Sequence, residues 1–197
     1  MRIKTALLVA AVSLATSCSS AVKTVRSPGY DANAVKRVAV SALSGPDAQT
    51  GQSIADSLVP ELMEMGFTVV ERNQLETVMK EQSLQFTGAL DPATIREVGR
   101  LAGVDALLVG DYSAHMKTTR TGMVRARRGL MRRRVAVRGP VRIEQNQVFD
   151  SISLRLVSTA TGEVLLTSVR REEFEADDLD SVIGEMTESM KKALGKR

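Results

Sequence analysis

Between Tyr112 and Ile143 the chain carries Lys117 and nine arginines with no acidic residue among them, directly after the apolar segment Val104–Tyr112 (VDALLVGDY). Ten like charges cannot enter a core, because each unpaired buried charge costs far more than folding returns. The stretch must therefore stand outside the fold. The formal net charge of +4 conceals this segregation: apart from these ten cations and Arg2 and Lys4 at the start, 15 basic residues face 23 acidic ones, a balance of −8. One acidic body and one basic appendage are implied.

The amino terminus has the form of an export signal. Arg2 and Lys4 precede the apolar run Leu7–Leu14, which is too short to span a bilayer that needs ~20 residues. The following Leu14-Ala15-Thr16-Ser17-Cys18 resembles a bacterial lipobox, in which the chain is cut before a cysteine that becomes the lipidated first residue. The expected organisation is a signal peptide over 1–17, a lipidated tether over 18–35, and a domain over 36–197 with a basic insertion at 113–146. Cys18 would carry a diacylglycerol and an N-acyl chain, enough acyl surface at ~0.8 kcal/mol per methylene to hold the protein on a membrane. Ser19 in the next position is the residue type that accompanies export to the outer membrane. As Cys18 is the sole cysteine, no intramolecular disulfide is available and the fold rests on its core.

Periodicity gives the elements. Lys36–Leu43 (KRVAVSAL) fits a buried strand, and Ile54, Leu58, Leu62 and Met65 recur at helical spacing, with Pro60 expected to kink or interrupt that helix. Gly66 ends it before the short strand Phe67–Val70, and Leu75, Val78 and Met79 mark a second helix between Asn73 and Gln82. Asp91 and Pro92 are placed to start a third, which buries Ile95, Val98 and Leu101 and stops at Gly103. Val104–Tyr112 follows as a central strand. After the insertion, Val148, Asp150, Ile152, Leu154 and Leu156 share one parity, Thr161-Gly162 turns the chain into Val164–Val169, and Leu179 to Leu194 is an amphipathic helix. The order is βαβααβ, an insertion, ββ and α: a mixed α/β sheet with helices packed on it.

The succession RVAV, GQSIADSLVPELMEMGFTVVERNQLETVMKEQ, LDPATIREVGRLAGVDALLVGDY and LRLVSTATGEVLLT resembles the CsgG-like family over about residues 36 to 195. Its most specific parts are Thr68 to Leu75 (TVVERNQL) and Gly103 to Gly110 (GVDALLVG). The resemblance implies the fold of the CsgG periplasmic domain, a lipidated amino terminus and ring-like homo-oligomers. It also implies two membrane-inserting hairpins, one after the strand matching Val104–Tyr112 and one after the strand matching Val164–Val169. The second has no room here, because Arg170 to Asp178 (RREEFEADD) runs almost directly into the last helix. The first has the length but not the chemistry: in Met123–Arg134 arginines fall on both parities, and each costs ~2–4 kcal/mol near a bilayer midplane. A pore built by this chain alone is not expected.

In the second half of the insertion, Val135, Val137, Val141 and Ile143 alternate with Arg134, Arg138 and Arg142, reading as a strand with one apolar and one cationic face broken at Gly139-Pro140. Arg125, Arg127, Arg128, Arg132, Arg133, Arg134, Arg138 and Arg142 are the candidate binding residues. Guanidinium groups suit an anionic lipid, an acidic polysaccharide or an acidic protein surface. Nucleic acid is not expected, since the stretch has no aromatic residue for base stacking.

Catalysis finds little support. His115, the one histidine, is expected to be exposed and inert, SGPDAQTGQS lacks the lysine of a phosphate loop, and no metal-ligand spacing occurs. Asp105 and Asp111, six residues apart on one strand, would lie ~20 Å from each other. Glu71 and Arg72 suit a cap and a salt bridge. No cofactor beyond the acyl chains is expected. The sequence points to a non-enzymatic, outer-membrane-anchored lipoprotein acting as an oligomeric assembly subunit; the alternative is a regulatory lipoprotein that binds and activates a peptidoglycan synthase.

Overall fold

Strand β2 (Arg37–Val40) has Val38, Ala39 and Val40 all buried, as a strand covered on both faces requires. It pairs in parallel with β3 (Thr68–Val70) on one side and with β4 (Ala106–Arg128) on the other. The computed structural model describes residues 21–31, 34–70, 77, 92–128 and 134–196, and only the backbone of 121–141. From β4 the sheet continues antiparallel through β5 (Arg134–Ser158), β6 (Val164–Arg170) and β1 (Val22–Arg26), while β7 (Phe174–Glu175) pairs with β5 beyond the end of β6. The result is the expected mixed α/β fold, a seven-stranded sheet with three described helices.

Register decides which side chains face which helix. Val38, Val40, Ala106, Leu108, Leu154 and Leu156 lie on the face covered by α1 (Ala48–Glu64) and the carboxy-terminal helix α3 (Leu179–Leu194). The alternate positions Ala39, Leu107 and Val157 meet α2 (Pro92–Ala102), which brings Ile95 and Val98. Asp105 holds the start of this region, accepting hydrogen bonds from the backbone N–H groups of Lys36 (2.9 Å) and Arg37 (2.8 Å).

Two differences from the sequence reading have physical reasons. Val22–Arg26, inside the span assigned to the tether, is an edge strand antiparallel to β6, and Thr24 joins a hydroxyl network with Ser168 and Ser189. The helix α1 runs unbroken through Pro60, whose position costs the backbone one donor but leaves the buried stripe Ile54, Leu58 and Leu62 intact. Into the basic insertion β4 and β5 continue as one antiparallel ladder, at the place of the first hairpin that the resemblance implies. Apart from Thr77, the helix expected over 73–82 lies outside the described residues, as do Asp91, Glu71 and Arg72.

Gly51, in the first turns of α1, sets how closely that helix meets the β2 loop. A Cβ there would stand 2.1 Å from the carbonyl oxygen of Leu43, whose N–H donates to Gly51 O at 3.1 Å. Alanine has the higher helix propensity by about 1 kcal/mol, but a backbone collision cannot be relieved by a side-chain rotation. Gly51→Ala is expected to lower thermal stability by several degrees, at roughly 2–4 °C per kcal/mol for a domain of this size, as read by a melting curve.

Candidate functional site: the cationic arm and its root

After Leu108 the strand β4 leaves β2, and beyond Val148 the strand β5 has neither β6 nor β7 beside it. Among the described residues, from Met116 and Gln147 outward the two strands pair only with each other, ending at Arg128 opposite Arg134. At ~3.4 Å per residue this two-stranded arm projects roughly 40 Å from the sheet. Lys117, Arg120 and Arg142 are exposed on it, and Arg142 meets Glu144 at 3.4 Å.

The register corrects the reading of one apolar and one cationic face. Gly122 pairs with Val141, but Val124 pairs with Arg138, so β5 holds an extra residue at Gly139-Pro140. Positions 138 and 141 therefore fall on the same side of the ladder, and positions 135 and 137 lie on the other side from 141 and 143. Opposite Val135 and Val137 the ladder places Arg127 and Arg125. Apolar and cationic positions thus share each side, and Arg128 stands opposite Arg134. A proline at a bulge is where a ladder tolerates the missing donor. Arg132, Arg133 and Cys18 lie outside the described residues.

The root of the arm is built more tightly than its length. A second register shift, between Ser113 and Ala114, leaves Asp150 as the extra residue of β5. The Asp150 carboxylate accepts from Ser113 Oγ at 3.0 Å and meets His115 Nδ1 at 3.0 Å. His115 is exposed as expected, but it is held by a carboxylate 35 residues away that sequence spacing did not reveal. The three residue types do not form a nucleophilic relay: the aspartate bridges serine and histidine, whereas general-base activation needs the histidine between the other two. On the core side, Phe149 stacks on Phe174 with ring centroids 5.0 Å apart and meets Tyr112 at 5.8 Å.

The Tyr112 hydroxyl donates to the carbonyl of Asp47 and accepts from the Asp47 N–H at 2.9 Å, tying the arm's strand to the start of α1. Asp47 caps that helix through Thr50 N–H and Thr50 Oγ1, both at 2.7 Å, and these bonds hold its carboxyl below the usual range. Asp105 and Asp111 serve apart, the first on the Lys36 and Arg37 backbone and the second on Arg155 at 3.2 Å.

At the opposite end of the sheet lies an open cavity of about 510 Å³, bordered by Tyr30, Asp31, Arg96, Arg100, Thr159 and Glu163. Arg100 is engaged by Glu97 at 2.6 Å, and Thr159 Oγ1 donates to Val104 O at 2.6 Å. The Tyr30 hydroxyl is buried without a hydrogen-bond partner, and burial raises its pKa. Among the described residues no group of three histidine, cysteine or carboxylate side chains is placed to hold a metal, and no helix is long and apolar enough to cross a membrane.

Residues 10–183 match the family described as "Curli production assembly/transport component CsgG". No curated protein sequence matches. Among solved structures, the chain is similar to lipoprotein GNA1162 from Neisseria meningitidis, at 14% identity over 81% of this chain and 98% of that one with a TM-score of 0.49. It is also similar to the PelC dodecamer from Paraburkholderia phytofirmans (14% identity, 89% and 97% covered, TM-score 0.45) and to the LpoB C-terminal domain from Salmonella enterica (13%, 75% and 98%, 0.40).

Two outcomes test the root. Asp150→Ala is expected to speed amide hydrogen exchange several-fold at Ala114–Lys117 while leaving Leu107–Val109 protected, because it frees the arm without touching the core. Because the folded-state pKa of Asp47 is depressed, its contribution is present above about pH 3.8 and lost as pH falls through the lower folded value. Asp47→Ala should accordingly melt below the wild type at neutral pH, and the gap should close on acidification below that point.

Proposed function

This chain belongs to the CsgG family, and on that premise we propose that it is a lipoprotein held at the outer membrane through Cys18, where it serves as an oligomeric assembly subunit of an export or envelope-building apparatus. The observation that carries this reading is the arm. An isolated two-stranded ribbon is at best marginal in water, so an arm of this length needs something to lie against. Its register opposes lipid insertion, since Arg125 and Arg127 stand across from the valines that would have to face acyl chains. A second membrane hairpin has no place either: Arg171–Glu173 leads straight into β7, the short 3₁₀ turn and α3. The subunit is thus read as a scaffold and not itself a complete pore, with the arm's arginines meeting an anionic surface.

Binding rather than catalysis is the activity this supports, because Ser113 and His115 are both committed to Asp150. The regulatory alternative, activation of a peptidoglycan synthase from the outer membrane, needs a tether able to cross the cell wall. With β1 beginning at Val22, the free stretch after Cys18 reaches at most roughly 14 Å. That length disfavours the alternative.

Fractionation tests the reading. The wild type is expected in the outer-membrane fraction and, after detergent extraction, as one discrete oligomer by light scattering; Cys18→Ala should move to the soluble periplasmic fraction. An unchanged membrane association in the variant would remove the anchor from the account. A strictly monomeric wild-type extract would remove the subunit.

A further inference from the structure

Directly at the root of the arm, residues 171–180 carry Glu172, Glu173, Glu175, Asp177, Asp178 and Asp180, all exposed, against the single cation Arg171. Among the described residues none of these six carboxylates is ion-paired. Glu175 sits opposite Val148 on β5, so the acidic strip is fixed beside the point where the arm leaves the body. Of the arm's described cations Lys117 alone, opposite Asn146, lies near it: Arg120, opposite Ile143, and Arg142 are about 17–20 Å farther out than Val148, and the arginine positions 125, 127, 128, 134 and 138 are farther still. Each molecule therefore presents an arginine-bearing arm and an anionic strip of opposite charge, and the arginines lie beyond reach of the strip within one chain.

We propose that the cationic arm of one copy docks on the acidic strip 172–180 of a second copy. This rests on the oligomeric reading above and names the contact that makes the oligomer. Because donor and acceptor surfaces are different patches, the contact is head-to-tail, and it leaves no arm or strip unmatched only when the chain of copies closes into a ring. Electrostatic matching of this kind fixes register and partner choice, and it is weakened by salt.

The test uses the full chain in detergent. One variant reverses the strip (Glu172→Lys, Glu173→Lys, Glu175→Lys), a second reverses the described outer cations of the arm (Arg120→Glu, Arg142→Glu), and a third carries both sets. Oligomer mass is read by light scattering across protein and salt concentration, with circular dichroism melts to confirm that each variant folds. Each reversal alone is expected to weaken association roughly tenfold or more, as several interfacial pairs at 0.2–1 kcal/mol each imply, and the combined variant is expected to regain assembly. Added salt should dissociate the wild type. If the strip variant keeps the wild-type oligomer, the proposed contact is wrong while the oligomeric subunit stands; a monomeric wild type would defeat both. If arm reversal abolishes binding to anionic phospholipid vesicles while neither reversal alters assembly, the arm's partner is a lipid surface and the inference is overturned.

Discussion

The antiparallel ladder between β4 and β5 is the constraint on which the rest of this molecule depends. It begins in the core, where Leu107 faces Val157 and Leu108 faces Leu156, and it ends far outside, where Arg128 faces Arg134. Its inner part is buried on both faces by α1, α2 and α3, and supplies Leu154, Leu156 and Leu108 to one core and Leu107 and Val157 to the other. Among the described residues its outer part has no layer on either side. Since the same two strands run through both regions, the position of the arm is fixed by core packing, and the arm's direction is fixed by the bulge at Asp150. The Tyr112 to Asp47 contact and the Phe149–Phe174 stack lock that transition from the core side.

Much of this organisation is visible in the residues. α1, α2 and α3 show their faces in periodicity because each buries one stripe against the sheet, and β2 shows itself as a continuous apolar run because it is covered on both faces. β1 is not visible: VKTVR is short, lacks a clean alternation of apolar and polar positions and is exposed at Val25, and its strand partner among the described residues, β6, lies 144 residues away at the Thr24–Ser168 pair. An edge strand of this kind is defined by its neighbour and not by its own pattern. The bulge did leave a trace. Asp150 shares parity with Val148 and Ile152, while Val148 and Phe149 are consecutive and both buried, so a regular strand could not have satisfied all of them. A polar residue breaking an apolar parity beside two adjacent apolar ones is the signal that would have found Asp150 and, through it, the bond to His115.

The charge of the arm was equally plain, but its distribution over the two sides was not. Alternation along β5 alone puts the valines at 135, 137, 141 and 143 on one face; Gly139-Pro140 breaks that equivalence by inserting one unmatched residue. Such a shift reverses every assignment beyond it. Arginines on both strands then share sides with valines, which argues against lipid more strongly than composition does.

The two surfaces also differ in the electrostatics that act on each before any contact is made. Asp177, Asp178 and Asp180 stand at the start of α3, where the partial positive charge of the helix terminus favours carboxylates, and Lys191 and Lys192 stand at its other end. The acidic strip is thereby held in place by the body's own electrostatics. The arm has the reverse situation: like charges directly opposite, as at Arg128 and Arg134, oppose pairing in a ribbon that is already marginal. An anionic surface removes that repulsion and supplies a layer for the ribbon to pack on. The strip, set at the start of α3, then acts as the template against which the arm settles.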